Sequence, residues 1–173
     1  MTGKGHRITA FAILMATTDS LLASALAAMG STFPDRIEHI IWRKKRGRHH
    51  RRTSHWFVLY GAAFIFCYYR WGSGLVPQLS TFPQELGTHV LETFSTCAAF
   101  WFLGGLLHIF CDACCGRVPL LVPWRKTFGW YFFRVADVPG QMSQGETAFV
   151  MFVVFSCLSI WLSGHGLIYV SVQ

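Results

Sequence analysis

The chain has 173 residues, of which 53% are hydrophobic and 13% are charged, and its formal net charge is +7. Soluble domains typically carry about 25% charged residues, so this composition excludes an ordinary soluble protein and favours one integral membrane domain over residues 1–173. The six cysteines lie in or beside apolar stretches, which argues against the disulfide framework of a small secreted protein.

The N-terminal apolar stretch, residues 8–33, is too short for two full membrane crossings. Polar residues at positions 17–20 interrupt it, and residues of these types favour a helix cap or turn. We therefore predict two short helices, at 8–16 and 21–30, that form a partial or re-entrant hairpin. The alternative is one slightly polar spanning helix with Asp19 facing a partner.

The segment 34–39 resembles the start of a helix, because proline suits the first turn and acidic residues there complement the helix dipole. In a helix, Asp35, Glu38 and His39 would share one face. Two interpretations stay open, a capping cluster and a set of polar groups that serve a site.

The loop 43–52 holds 7 of the 15 lysines and arginines. Beside membrane segments, such a loop indicates a cytoplasmic location and contact with anionic lipid headgroups, so a nucleic-acid partner is not favoured. His50 lies in this loop. Ser54 is a predicted N-cap of the next helix, which would place His55 in its first turn.

Three later stretches are predicted to cross the membrane. Residues 88–111 and 147–172 both exceed the ~20 residues that a crossing requires, and residues 56–71 can span a locally thinned bilayer. The predicted fold is an all-α integral membrane helical bundle, with about three spanning helices plus the N-terminal hairpin. Lysine and arginine counts place loops 43–52 and 117–134 in the cytoplasm.

His108 and Asp112 are spaced so that both project from one face of the predicted helix that ends near them. An imidazole and a carboxylate at this spacing form a compact donor pair for a divalent ion. A charged Asp at the end of a membrane helix is costly unless it faces water, a partner or a metal. The alternative is that His108 packs as a helix residue and Asp112 reaches the interface.

Five motifs in chain order support the metal interpretation. They are Gly5-His6, Pro34-Asp35 with Glu38-His39, His50-Arg51 with Ser54-His55, Gly104 with His108 and Asp112, and Gly116 with Leu120-Leu121 and Pro123. The chain thereby resembles the YdjM-type family of LexA-regulated, membrane-bound, metal-dependent hydrolases of the bacterial inner membrane. The resemblance covers residues 5–123, and the last apolar stretch, 147–172, adds nothing to it.

The first acidic motif departs from the family pattern, because it reads Asp-x-x-Glu-His where many relatives have Asp-x-Asp-His. This leaves open whether Asp35 or Glu38 is the nearer ligand. Ser54 stands where Thr is usual and Trp56 where Ser is common, but neither change removes a candidate ligand.

The resemblance implies a divalent ion, zinc or manganese, bound on the cytoplasmic face by members of a defined set of side chains. These are His6, Asp35, His39, His50, His55, His108 and Asp112. Glu38 would act as general base or support a histidine. Arg51 and Arg52 would bind an anionic substrate group, since a guanidinium binds phosphate in a bidentate manner. The membrane location and charge suggest a lipid or another phosphoester as substrate.

Two other functions compete with a membrane metallohydrolase. A non-catalytic membrane adaptor would use the basic loop to bind anionic lipid or a partner, and would not need the histidines. A metal transporter would need polar residues through the bilayer, and Asp19 is the one acid deep in an apolar stretch. The sequence does not indicate the oligomeric state.

Overall fold

A computed structural model describes residues 1–41, 53–71, 76–119, 127–136, 138 and 140–164. This part of the chain is mostly helical. The helices are α1 (Gly3–Thr18), α2 (Leu21–Gly30), α3 (Phe33–Ile41), α4 (Phe57–Ile65), α5 (Phe82–Thr88), α6 (Val90–Cys115) and α7 (Gln144–Gly164). A 3₁₀ turn (Thr53–His55) precedes α4, and a π-helical segment (Phe66–Trp71) continues it.

The α1–α2 hairpin has the predicted break, and a single N-terminal spanning helix is wrong. Asp19 ends α1 in the left-handed conformation with φ of 50°, and the Ser20 side chain caps α2. Helix α1 begins earlier than predicted because the Thr2 hydroxyl accepts a hydrogen bond from the backbone N–H of Gly5. One partner of Asp19 lies within the chain, since Trp161 donates its ring N–H to the Asp19 carboxylate at 2.8 Å.

Helices α2 and α6 pack with their backbones in direct contact at two glycines. A Cβ atom on Gly30 would lie 2.0 Å from the carbonyl oxygen of Trp101, and one on Gly104 would lie 2.0 Å from that of Ala27. Small residues allow this close approach of membrane helices. On the neighbouring face of α6, the ring of Tyr60 in α4 packs onto Gly105. Gly104 and Gly105 thus both pack against helices of the same chain.

In the part of the chain that the structure describes, two helices, α6 and α7, are long and apolar enough to cross a membrane by length and composition. Helix α7 packs against α1 but leaves large apolar side chains such as Phe152 exposed, as a lipid-facing helix does. The apolar helix over Phe57–Tyr69 is shorter. Two of the three predicted crossings therefore have matching helices, and the third stays a prediction.

A short hairpin departs from the predicted all-α fold. Strand β1 (Val118–Pro119) pairs antiparallel with β2 (Thr127–Phe128). Just after β2, the backbone N–H groups of Trp130 and Phe132 donate to the carbonyl oxygens of Ala113 and Cys114. These carbonyls belong to the last turn of α6, where a helix leaves acceptors unpaired, so the segment closes the end of the helix that carries His108 and Asp112.

Some predictions concern residues outside this description. The basic loop 43–52, with His50, Arg51 and Arg52, is among them, as is the chain beyond Gly164. The predicted N-cap role of Ser54 is wrong, because the chain forms a 3₁₀ turn at this point and Trp56 occupies the N-cap position of α4 without a side-chain bond.

Candidate metal centre

Five predicted ligands from four segments meet beside the end of α6. His6 comes from α1, Asp35 from α3, His55 from the 3₁₀ turn, and His108 and Asp112 from α6. The three histidines and Asp112 are fully buried, whereas the side chain of Asp35 is 30% exposed. The cluster is thus closed on most sides and open at Asp35.

Ring nitrogens and carboxylate oxygens face one another across the centre of this cluster. The Nε2 atoms of His55 and His108 are 3.0 Å apart. Oδ2 of Asp112 is 3.4 Å from Nε2 of His55 and 3.7 Å from Nε2 of His108. Oδ1 of Asp35 lies 3.6 Å and 4.0 Å from the same two nitrogens. All four side chains therefore direct donor atoms to one small volume.

His6 completes the cluster from α1. Its Nε2 lies 3.2 Å from Oδ1 of Asp112, and its ring stacks on that of His108 with 3.8 Å between centroids. Both ring nitrogens of His6 are buried without a hydrogen-bond partner among the described residues. A buried imidazole that lacks such partners is costly, and a bound cation would satisfy one of its nitrogens.

Three outer contacts set the orientation of His55 and His108. Nδ1 of His108 is 2.6 Å from the carbonyl oxygen of Ser31 and must donate to it, since a carbonyl only accepts. Nδ1 of His55 lies 2.9 Å from the Ser54 hydroxyl and 3.5 Å from Oε2 of Glu38. In each neutral ring, a proton on Nδ1 leaves a lone pair on Nε2 directed at the cluster.

The donor set fits a divalent cation. Two overlapping groups, His6–His108–Asp112 and Asp35–His55–His108, each have ligand atoms within 4.8 Å of one another. A zinc ion binds nitrogen and oxygen at about 2.0–2.2 Å, so ligand atoms on the same ion lie within roughly 4.4 Å of one another. Six contacts between donor atoms of these residues measure 3.0–4.0 Å and fall inside this limit.

The amino terminus also contacts this cluster. The Met1 amine donates to Oδ1 of Asp112 at 2.8 Å and to the Cys115 sulfur at 3.1 Å. Burial lowers the pKa of this amine, but the Asp112 carboxylate and the Cys115 thiol raise it by more, so the pKa lies above its ordinary value. The amine and His6 therefore both contact Oδ1 of Asp112, whereas Oδ2 faces His55 and His108.

A buried carboxylate on α7 anchors the helix that carries His6. Glu146 is fully buried, and its Oε1 accepts hydrogen bonds from the backbone N–H and the hydroxyl of Thr2 at 2.7 Å and 2.6 Å. A Cβ atom on Gly5 would lie 2.6 Å from the same oxygen. Sequence reasoning missed Glu146, although an acid in the first turn of a nearly uncharged apolar helix was the available signal.

Replacement of Glu146 by alanine is expected to lower the unfolding temperature of the detergent-solubilised protein. The change removes the acceptor of both Thr2 donors, and hydrogen bonds to charged groups contribute about 1.5–3 kcal/mol each. Differential scanning fluorimetry measures the shift. Glu92→Ala, at an exposed acid on α6, is the control and should unfold at the wild-type temperature. Equal temperatures for the two variants would contradict the anchoring role.

The other predicted residues have different positions. Glu38 is fully buried beside His55, whereas His39 is exposed on α3 and the structure does not bring it into the cluster. His50, Arg51 and Arg52 lie outside the described residues, so their roles stay predictions. His89 is exposed, and its Nδ1 lies 3.8 Å from Oε2 of Glu92.

The comparisons with known proteins support the motif resemblance. No curated protein and no solved structure matches the chain. The sequence matches the YdjM inner membrane protein family over residues 1–167. This match extends past the 5–123 region of the motifs and includes the whole of α7. The apolar helices α6 and α7 agree with the family's description as an inner membrane protein. The chain therefore belongs to the YdjM inner membrane protein family.

Proposed function

We propose that this protein is a multi-pass membrane hydrolase that depends on a divalent metal ion and whose site faces the cytoplasm. The observation that carries the proposal is the convergence of three histidines and two carboxylates from four segments in one largely buried cluster. Ionisable groups buried at the end of a membrane helix are costly, and such groups mark functional sites. The positive-inside rule, applied to the basic loop, supports the cytoplasmic orientation.

The metal would be held by His6, Asp35, His55, His108 and Asp112, with zinc or manganese as the leading candidates. A bound ion of this kind lowers the pKa of a coordinated water toward neutrality and polarises a phosphoryl or acyl oxygen. The protein's own groups exclude bulk solvent from the histidines and fix the tautomers of His55 and His108. Asp35 lies at the open side, where a substrate would enter.

Glu38 is best explained as a positioning residue for His55. Its Oε2 contacts Nδ1 of His55 and accepts a hydrogen bond from Ser54 at 3.3 Å, on the ring edge away from the cluster. A carboxylate in this place holds the imidazole in one orientation and makes its other nitrogen a stronger ligand. This contact supports the second of the two roles considered for Glu38 and not that of general base.

The proposed substrate is a phosphoester, a membrane lipid being the leading class. The basic loop, including Arg51 and Arg52, supports an anionic substrate, because guanidinium groups bind phosphate oxygens with paired hydrogen bonds. The family membership and the spanning helices support a substrate that is accessible from the membrane surface.

The proposal is tested by phosphate release from phosphatidic acid and from p-nitrophenyl phosphate, with the protein in nanodiscs. We expect release in the presence of added zinc or manganese, no release after chelation, and recovery when the metal is restored. Hydrolysis that persists after chelation would exclude the metal mechanism. A metal-loaded protein without turnover on any phosphoester or acyl ester would favour the adaptor function.

Replacement of Glu38 by glutamine is expected to reduce metal affinity or kcat by about 10- to 100-fold, as the loss of an outer partner of a metal-bound histidine does. Glutamine retains the size of the side chain but removes the charge behind His55. Competition with a fluorescent chelator measures affinity, and steady-state kinetics measure kcat. Glu92→Gln, at an exposed position, is the matched control, and identical behaviour of the two variants would exclude the positioning role.

A further inference from the structure

A surface cleft of about 430 Å³ opens between the first turns of α1 and helix α3. Its walls include Gly3 and Arg7 from α1, Asp35, Arg36 and His39 from α3, and Thr32. Small-molecule sites typically occupy about 300–1,000 Å³, so the cleft has room for a phosphoester headgroup.

The charge of this cleft is predominantly positive. Arg7 and Arg36 are both exposed and both line it, and neither forms an ion pair with another residue in the described part of the chain. Among the described residues that line the cleft, Asp35 is the one carboxylate, and it also contacts the histidine cluster. Within the described part of the chain, these two guanidinium groups have no acidic partner and are therefore available to an anion.

The cleft adjoins the candidate metal centre through both of its walls. Arg7 directly follows His6 in α1, and Arg36 directly follows Asp35 in α3. Successive helical residues point about 100° apart. In each of these two helices, one residue therefore faces the buried cluster and the next one faces the cleft. Asp35, as the half-buried residue that lines both, connects the cleft to the histidines.

We propose that this cleft binds the phosphate group of the substrate, with the Arg7 and Arg36 guanidinium groups donating to its non-bridging oxygens. The inference rests on the proposed hydrolase function and specifies where its substrate is held. A planar guanidinium matches two phosphate oxygens at once, which an ammonium group does not. The same chemistry is offered by a lipid headgroup and by a soluble phosphate monoester.

Titration of the full-length, detergent-solubilised protein with inorganic phosphate, followed by ³¹P NMR, tests the cleft. The protein is kept metal-free, so that a bound metal ion does not contribute to phosphate binding. For each of Arg7→Gln and Arg36→Gln we expect roughly three- to tenfold weaker binding, and a larger loss in the double variant. Arg7→Lys should also bind less tightly than wild type. Arg134→Gln, at an exposed arginine outside the cleft, is the control and should bind as wild type.

Two ligands distinguish the sources of the phosphate. Tighter binding of short-chain phosphatidic acid than of glycerol 3-phosphate supports a lipid headgroup in the cleft, and equal binding supports a soluble monoester. Wild-type phosphate affinity in the double variant, or no phosphate binding by the wild-type protein, overturns the cleft proposal.

The fate of the proposed hydrolase is measured separately. Metal-dependent turnover with an unchanged KM in the double variant would support the hydrolase proposal and contradict the cleft proposal. Arginine-dependent phosphate binding in a protein that takes up no metal would support the cleft proposal and contradict the hydrolase proposal.

Discussion

The Asp112→Ala variant is expected to lose high-affinity binding of divalent metal. Asp112 contacts all three histidines of the cluster. Its Oδ1 lies 3.2 Å from Nε2 of His6, and its Oδ2 lies 3.4 Å from Nε2 of His55 and 3.7 Å from Nε2 of His108. Its removal leaves neutral imidazoles and the half-exposed Asp35 to bind a dication. Because loss of an outer partner alone reduces metal affinity about 10- to 100-fold, loss of this inner carboxylate should reduce it by more.

Competition with a chelating dye measures this affinity. Asp112→Asn retains the volume of the side chain and the hydrogen-bond acceptor for the Met1 amine, so it separates loss of charge from loss of packing. It should also bind metal weakly, while remaining folded. Glu92→Ala, an exposed acid on the same helix, is the control. Wild-type affinity in both Asp112 variants would exclude this carboxylate as a ligand.

The Gly104→Ala variant is expected to lose much of its stability through the addition of a single methyl group. The added carbon would lie 2.0 Å from the carbonyl oxygen of Ala27, where the obstacle is backbone and cannot rotate away. Overpacking of a tight contact costs about 1–3 kcal/mol and occasionally more, and the upper end applies here. Helices α2 and α6 would have to separate.

That separation should also weaken the metal site. His108 lies one helical turn after Gly104, and its ring bonds to the Ser31 carbonyl at 2.6 Å, immediately after Gly30. The unfolding temperature and the metal affinity of the variant are therefore expected to fall together. Gly61→Ala is the matched control, because a Cβ atom there meets nothing within 4 Å. If Gly104→Ala unfolds at the temperature of Gly61→Ala, the close approach of α2 and α6 is wrong.

The pairing of His108 with Asp112 could be predicted from the sequence for a physical reason. His108 and Asp112 share a face through helical geometry alone, and the structure places both in the cluster. The break between α1 and α2 at Asp19 could likewise be predicted, since short polar side chains between apolar runs favour helix caps. His6, Asp35 and His55 were linked to this pair by the family resemblance and not by local geometry.

Residue spacing alone did not predict which side of α3 is buried. Asp35, Glu38 and His39 satisfy the spacing of one helical face, yet Glu38 and His39 are adjacent and point about 100° apart. Packing of α3 against the 3₁₀ turn buries Glu38 and leaves His39 exposed. Spacing defines a broad face, and only the tertiary contact decides which edge of it is buried.

Contacts between distant segments could not be predicted from the sequence. The bonds from Thr2 to Glu146 join the two ends of the described chain, and no periodicity relates them. Ser54 was predicted as a cap because its residue type suits one, but its hydroxyl instead contacts Glu38 and His55. In both places a tertiary partner determines the role of the side chain.

The metal content of the purified protein tests the central claim most directly. Wild-type protein, reconstituted with zinc or manganese in detergent and desalted, is compared by mass spectrometry with the His108→Ala variant and with His89→Ala, whose histidine is exposed. We predict a stoichiometric divalent ion in the wild-type and His89→Ala proteins and its loss from His108→Ala. The absence of a bound ion from the reconstituted wild-type protein would contradict the metal centre.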